Sequence, residues 1–290
     1  MIIVKLIGGL GNQMFQYAFG RHLAYINNTE LKLDIAGFTD YKLHNYSLNN
    51  YNIQENIATP EDIKYFKKYQ RKPGRKWFLY NQLIANGHKY VQERQFHFNP
   101  QMLKMKNEVY LDGYWQSEKY FKDVEVIIRD ELSVKNKLNG KNLEVSKKID
   151  AVDSISIHIR RTDYVTDPVS NEYHGACNIE YYKKATNLIV DKIKAPYFFI
   201  FSDDREWAKE NLKLSYPTYY VDHNDAQKNY EDLRLMSMCK HNIIANSSFS
   251  WWGAWLNQNK NKIVTGPKIW FRNAPKADTK DIFPEEWIKI

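Results

Sequence analysis

Apolar residues recur along this chain at two periods, and the alternation between the periods predicts its elements. From 154 to 159, Ile155, Ile157 and Ile159 alternate with Ser154, Ser156 and His158. A period of two predicts a β-strand, and the apolar series stops where Arg160, Arg161 and Asp163 begin. Shorter apolar runs at 2–7, 31–35, 109–115, 197–201, 218–221, 242–245 and 262–264 predict further strands. Helical spacing separates them. Met14, Phe15, Tyr17, Ala18, Leu23 and Ala24 mark one buried helical face. Phe121, Val124, Ile127, Ile128 and Leu132 mark another, over 117–132. Helices are also predicted over 60–69, with Pro60 in the first turn, and over 179–194, 203–212, 226–239 and 249–256. The stretch 38–56 reads as loop, and the run from Lys72 to Arg75, with Pro73 and Gly74 inside it, reads as a break. Strand–helix repetition predicts parallel sheets with helices on both faces. The polar, charged stretch 135–148, holding Gly140, predicts a boundary between residues 1–140 and 141–290. The expected architecture is α/β, two Rossmann-like halves whose parallel sheets face a cleft.

Composition narrows the function. With 290 residues and 43% apolar content the chain can bury two ordinary cores, so bulk disorder is excluded. A net charge of +8 suits nucleic acid, an anionic membrane surface or an anionic small substrate. The basic residues are spread out, which argues against nucleic acid. Cys177 and Cys239 are the only cysteines, so neither a disulfide scaffold nor a cysteine zinc site is expected, and a reducing cytoplasm fits. The first apolar run is too short for a signal peptide or a spanning helix, and no later run is long enough.

In open α/β sheets ligands sit just beyond the carboxyl ends of the strands. His158 and Arg160 share one face of their strand, and Arg161 turns to the other. Two guanidiniums at such a tip suit a diphosphate held by charge-assisted forks; the competing structure is a surface Arg pair with Asp163 as local partner. A carboxylate beside an anion site is also a candidate general base, which nominates Asp163 first, with Asp167 and His174 further along the loop. Gly8, Gly9, Leu10, Gly11, Asn12 and Gln13 form a Gly-rich turn between strand and helix, where backbone N–H groups approach phosphates. Met14 stands where the dinucleotide fingerprint needs a third glycine; only Asp34 keeps a nicotinamide reading open. Asp203 and Glu206 have capping-box spacing. The strand at 242–245 runs into Asn246, Ser247 and Ser248, residue types that cap helices and also donate to phosphate or ribose. Phe249, Trp251, Trp252 and Trp255 then anchor the helix to its core. Asp232 lies among apolar helical neighbours, where a buried carboxylate needs a guanine edge or a nearby Arg or Lys. The chain has no Asp-x-Asp triplet to hold a divalent ion on a diphosphate, which leaves the positive charge to arginine.

Three of these motifs together resemble a known family. Gly-Gly-Leu-Gly-Asn-Gln-Met-Phe-Gln at 8–16, His-Ile-Arg-Arg-x-Asp-Tyr-Val at 158–165 and Asn-Ser-Ser-Phe-Ser-Trp-Trp-Gly-Ala at 246–254 resemble the α-1,2-fucosyltransferases, glycosyltransferase family 11. The match extends to Gly266, Pro267, Lys268 and Trp270; Thr162 stands where relatives have Gly. The resemblance implies a GT-B-like fold, with 1–140 on the acceptor side and 141–290 binding GDP-fucose. It implies inverting transfer of fucose to the 2-hydroxyl of a terminal galactose, with no metal and no cofactor beyond the donor. Arg160 would grip the β-phosphate with Arg161 beside it, and His158 would meet the ribose or base side. Asp232 would read guanine, and Asn246, Ser247, Ser248 and Phe249 would line the diphosphate and nucleoside pocket. Gly9, Gly11, Asn12 and Gln13 would meet the donor from the other domain, with Asp163 as base. Animal relatives carry a membrane anchor, so the implied protein is a bacterial, cytoplasmic enzyme acting on a free or lipid-linked glycan, the latter at the inner membrane face. The rival readings are a nicotinamide-dependent oxidoreductase and a basic RNA-binding module.

Overall fold

A computed structural model describes residues 1–40, 44–70, 89–274 and 277–290. The chain divides into two compact units, Met1–Lys135 with Lys276–Phe283, and Asn136–Pro275 with Pro284–Ile290. The segment 276–283 thus belongs to the first unit, although the sequence pattern groups it with the second half.

The first unit holds β1 (Ile2–Lys5), β2 (Leu31–Asp34), β3 (Tyr90–Gln92) and β4 (Val109–Asp112), all parallel, in the order β2-β1-β4-β3. Helix α1 (Leu10–Ile26) crosses from β1 to β2, and α2 (Pro60–Lys67) starts on a capping box between Thr59 and Asp62. The helix predicted over 117–132 is shorter than its apolar spacing suggests. Two 3-10 turns precede α3 (Glu125–Glu131), because Phe121 leaves helical geometry at φ −144° to bury its ring 6.1 Å from Phe15. Strand β3 has no clear signal in the sequence pattern, and the predicted break at 72–75 lies outside the described residues.

The second unit holds β5 (Asp153–Ile159), β6 (Pro196–Ser202), β7 (Thr218–Val221), β8 (His241–Ile243), β9 (Val264–Gly266) and β10 (Ile288–Lys289). They form one parallel sheet in the order β10-β9-β8-β5-β6-β7. The helices are α4 (Gly140–Asp150), α5 (Thr162–Thr166), α6 (Pro168–Tyr173), α7 (Ile179–Val190), α8 (Arg205–Asn211), α9 (Asn229–Met238) and α10 (Ser248–Leu256). Much of the stretch expected to be a linker is therefore helix α4, which buries Val145 and Ile149. The chain runs outward from β5 through β6 to β7, then returns to place β8 on the other side of β5. Strand order reverses between β5 and β8, and a parallel sheet opens a ligand crevice at the carboxyl end of such a pair.

The alternation in β5 sorts its side chains onto two buried faces. Ile155, Ile157 and Ile159 pack with Tyr182, Ala185 and Ile189 of α7 and with Phe198 and Ile200 of β6. On the other face Ser156 Oγ accepts from Asn242 Nδ2 at 2.7 Å, and that amide also donates to the Met236 carbonyl of α9 at 2.9 Å. Both faces of a parallel sheet are covered, so the polar residues of β5 are buried ties between strand and helix. No helix among the described residues is long and apolar enough to cross a membrane.

Candidate active site

The site is built at the tip of β5. His158 is its penultimate residue, only 5% exposed, with its ring 5.4 Å from that of Phe249 on α10. Its Nδ1 is buried without a hydrogen-bond partner. Burial pushes the imidazole down to about 3, and the neighbouring Arg160 charge adds to the shift, so the ring is neutral. Arg160 follows the strand. Its Nη2 lies 2.7 Å from Asp163 Oδ1 and its Nη1 lies 3.1 Å from Asp203 Oδ2. Burial opposes its charge, but Asp203 and Asp163 outweigh that and hold the guanidinium above its usual range. Arg161 turns away, as the strand geometry predicts. Its guanidinium stacks 3.8 Å over Trp207 and its Nε is 3.3 Å from Asp204.

The β6 tip supplies a residue the sequence pattern assigned elsewhere. The N-cap of α8 is Asp204, accepting from the Trp207 N–H at 3.2 Å, so the capping role expected of Asp203 belongs to its neighbour. Asp203 instead accepts from the backbone N–H of Arg161 at 2.9 Å and of Thr162 at 3.1 Å while pairing with Arg160. The register decides this: Ile159 pairs with Ser202, which brings the residues after them together. Asp163 likewise appears as a brace, held by Arg160. Asp167 caps α6 through the Ser170 N–H at 2.8 Å and is committed there.

Beyond β8, Asn246 is buried and acts as a backbone clamp. Its Nδ2 donates to the carbonyls of His174 at 3.2 Å, Gly175 at 2.8 Å and Trp270 at 3.2 Å. Ser247 is the N-cap of α10 and Ser248 its first residue. Trp251, Trp252 and Trp255 are buried, whereas Phe249 stays half-buried against His158. Past β7, Asn224 Nδ2 donates to Asp232 Oδ1 at 2.7 Å, and the Arg205 guanidinium donates to the Asn224 carbonyl. Burial pushes the Asp232 carboxyl up to about 7, against the Asn224 hydrogen bond and the Arg205 charge. The structure therefore gathers His158, Arg160, Asp163, Ser247, Ser248 and Phe249 at the β5 and β8 tips. Asp232 is held by Asn224 past β7.

In the first unit the Gly-rich motif ends β1. Gly8 has φ +77°, and Gly11 lies within α1. Gln13 Nε2 donates to the carbonyls of Gly8 and Asn45, both at 2.9 Å, and Asn12 Oδ1 accepts from Gln116 Nε2 at 2.7 Å. Asp34, which carried the nicotinamide reading, has both oxygens engaged: Tyr110 Oη donates at 2.5 Å and the Ala36 N–H at 3.0 Å.

Residues 1–290 match the family model of glycosyl transferase family 11. The chain belongs to that family. An Escherichia coli α-1,2-colitosyltransferase is 33% identical over 100% of this chain and 99% of its own length. The Escherichia coli O-antigen biosynthesis glycosyltransferase WbnK is 34% identical over 98% and 99%. A galactoside α-(1,2)-fucosyltransferase of Lagothrix lagotricha is 24% identical over 98% of this chain and 73% of that one. Among solved structures, Arabidopsis thaliana FUT1 in complex with GDP superimposes with TM-score 0.52 at 11% identity, covering 98% of this chain and 74% of that chain. This likeness identifies the fold as GT-B. A family 11 member is a glycosyltransferase, which removes the oxidoreductase and RNA-binding readings.

Proposed function

We propose that this glycosyltransferase moves L-fucose from GDP-fucose to the 2-hydroxyl of a terminal galactose, with inversion, in building an O-antigen-type glycan. The observation that carries the donor reading is Arg160 at the β5–β8 reversal, held from behind by Asp163 and Asp203. As the sugar–phosphate bond breaks, negative charge grows on the departing GDP. A guanidinium already oriented by two carboxylates stabilises that charge with little reorganisation. His158 and Phe249 offer a neutral ring and an aromatic face to the nucleoside. Ser247 and Ser248, at the start of α10, suit the diphosphate. Asp232 reads guanine as an acceptor for its N–H donors. The first unit carries acceptor recognition, and no metal takes part.

The colitosyltransferase relative favours one variation, because colitose is fucose without its 3-hydroxyl and GDP-colitose would use the same diphosphate grip. The test is GDP release from GDP-fucose and GDP-colitose across a panel of galactose-ended sugars, free and lipid-linked, with and without EDTA. We expect GDP but not NAD to raise the melting temperature. We expect one donor to be turned over at full rate in EDTA. Absence of GDP stabilisation overturns the donor site, and loss of activity restored by magnesium overturns the guanidinium mechanism.

A further inference from the structure

We propose that His174 takes the proton from the acceptor hydroxyl during transfer, with Asp163 stabilising the imidazolium that results. This rests on the reading of the β5 tip as the donor site. His174 follows α6, and its ring lies flat on Tyr164, with centroids 4.7 Å apart and planes 2° apart. Tyr173 meets it edge-on at 4.9 Å and Phe271 lies 5.4 Å away. Tyr164 in turn lies 5.6 Å from the guanidinium carbon of Arg160. The imidazole is therefore one ring removed from the group that grips the leaving phosphate.

Its backbone is fixed as firmly as its ring. The His174 carbonyl accepts from Asn246 Nδ2 and from the Arg272 N–H, each at 3.2 Å. The next residue, Gly175, has φ +62°, and a Cβ there would clash with the Arg272 guanidinium. In this clamped setting His174 Nδ1 is buried with no hydrogen-bond partner. Asp163 Oδ1 is also buried, and its partner is the Arg160 guanidinium at 2.7 Å. An unsatisfied buried polar atom such as His174 Nδ1 is costly, and such exceptions call for a functional explanation.

The electrostatics agree with the role. Burial holds the His174 imidazole below its usual range; Asp163 opposes that shift and Arg160 adds to it. Among the described residues, the other charged or titratable groups against it are Tyr164 of α5, Tyr173 of α6 and Arg272, which packs on Gly175. The ring is neutral at neutral pH and able to accept a proton. In the transfer step the acceptor O–H proton moves to His174 Nε2, since Nδ1 is buried, as the acceptor oxygen bonds to C1 of the sugar. The bond from C1 to the β-phosphate oxygen breaks, and its electron pair leaves with GDP, where Arg160 balances the charge. The imidazolium sits beside Asp163 and returns its proton to solvent after GDP departs. Asp163, already holding Arg160, is thereby relieved of the base role.

The test compares wild type with His174→Gln and His174→Phe, using whichever donor the wild type accepts and a galactoside acceptor. Transfer is followed across about pH 5 to 9, alongside GDP-induced thermal stabilisation. We expect transfer to fall about 10²-fold or more in both variants and the acid limb of kcat/KM to disappear. GDP stabilisation should persist. His174→Phe keeps an aromatic ring on Tyr164 and removes the proton acceptor, so it separates chemistry from packing. Transfer within about threefold of wild type in either variant overturns the proposal. So does an acid limb that survives in His174→Gln, or GDP stabilisation that is lost along with transfer. A wild type that transfers from neither GDP sugar overturns the donor reading and this inference together.

Discussion

β1 and β5 are each the first strand of a parallel sheet, and each ends where strand order reverses, beside β4 and β8 respectively. Both tips are polar, yet the polar groups are used differently. At the β1 tip Gln16 Oε1 accepts from the Ile7 N–H at 3.0 Å and its Nε2 donates to the Gly113 carbonyl at 3.1 Å. Gln13 ties the same turn to Asn45 and accepts from the Ser47 N–H at 2.9 Å. These side chains are buried and spent on backbone groups, as buried amides must be. At the β5 tip the backbone is held by Asp203, while Arg160 retains partial exposure, with 27% of its side chain accessible, and His158 keeps an unpartnered nitrogen. One topology thus yields a structural knot in one sheet and a reactive edge in the other. The difference lies in which residues satisfy the backbone.

Three substitutions break or sharpen that contrast, in falling order of effect. Arg160→Ala should lower turnover about 10²-fold or more, the loss typical of removing a preorganised charge donor, or about 2.7 kcal/mol of barrier. Near-normal steady-state turnover in that variant removes Arg160 from the site. Gln16→Ala should do the reverse. It leaves a half-buried N–H and a buried carbonyl without their Gln16 partners, at about 2 kcal/mol of folding stability. Denaturant unfolding checks this, and GDP affinity of the folded variant should stay unchanged. A stable Gln16→Ala protein with impaired GDP binding would erase the distinction between the tips.

The third substitution concerns Asp232. Its carboxyl titrates near 7 when folded, above the ordinary aspartate range, because burial disfavours the charged form. With the folded value raised, its contribution to stability is greatest below the unfolded value and is lost as pH rises through about 7. Reading guanine requires the charged form, so GDP affinity should rise several-fold, to about tenfold, from pH 6 to pH 8. Calorimetric titration with GDP measures this. Asp232→Asn should bind weakly with no such slope, and a slope that persists in it assigns the titration to another group.

Most of the architecture is legible in the apolar spacing, and the reasons for the exceptions are specific. The strand in 218–221 is found as Thr218–Val221, because a short β-branched and aromatic run is bounded by turn residues on both sides. β3 and β10 are short and lack a periodic run, so neither stands out. The 117–132 segment has helical spacing throughout, yet the burial of Phe121 interrupts its backbone. Within the site, the His-x-Arg-Arg and Asn-Ser-Ser motifs are visible as residue types that suit anions. The role of Asp203 is not, since Asp203 and Asp204 look alike beside a helix start. Asn246 resembles a ligand donor in sequence and serves as a clamp in the structure.

The sequence alone determined the strand–helix alternation, the placement of arginines at a strand end and the family, because periodicity and local motifs are properties of neighbours along the chain. Only the tertiary structure decided which acid braces Arg160, what Asn246 holds and where His174 stands. Those facts depend on register between parallel strands far apart in sequence, where Ile159 meets Ser202. A shift of one residue would exchange the faces on which Asp203 and Asp204 point.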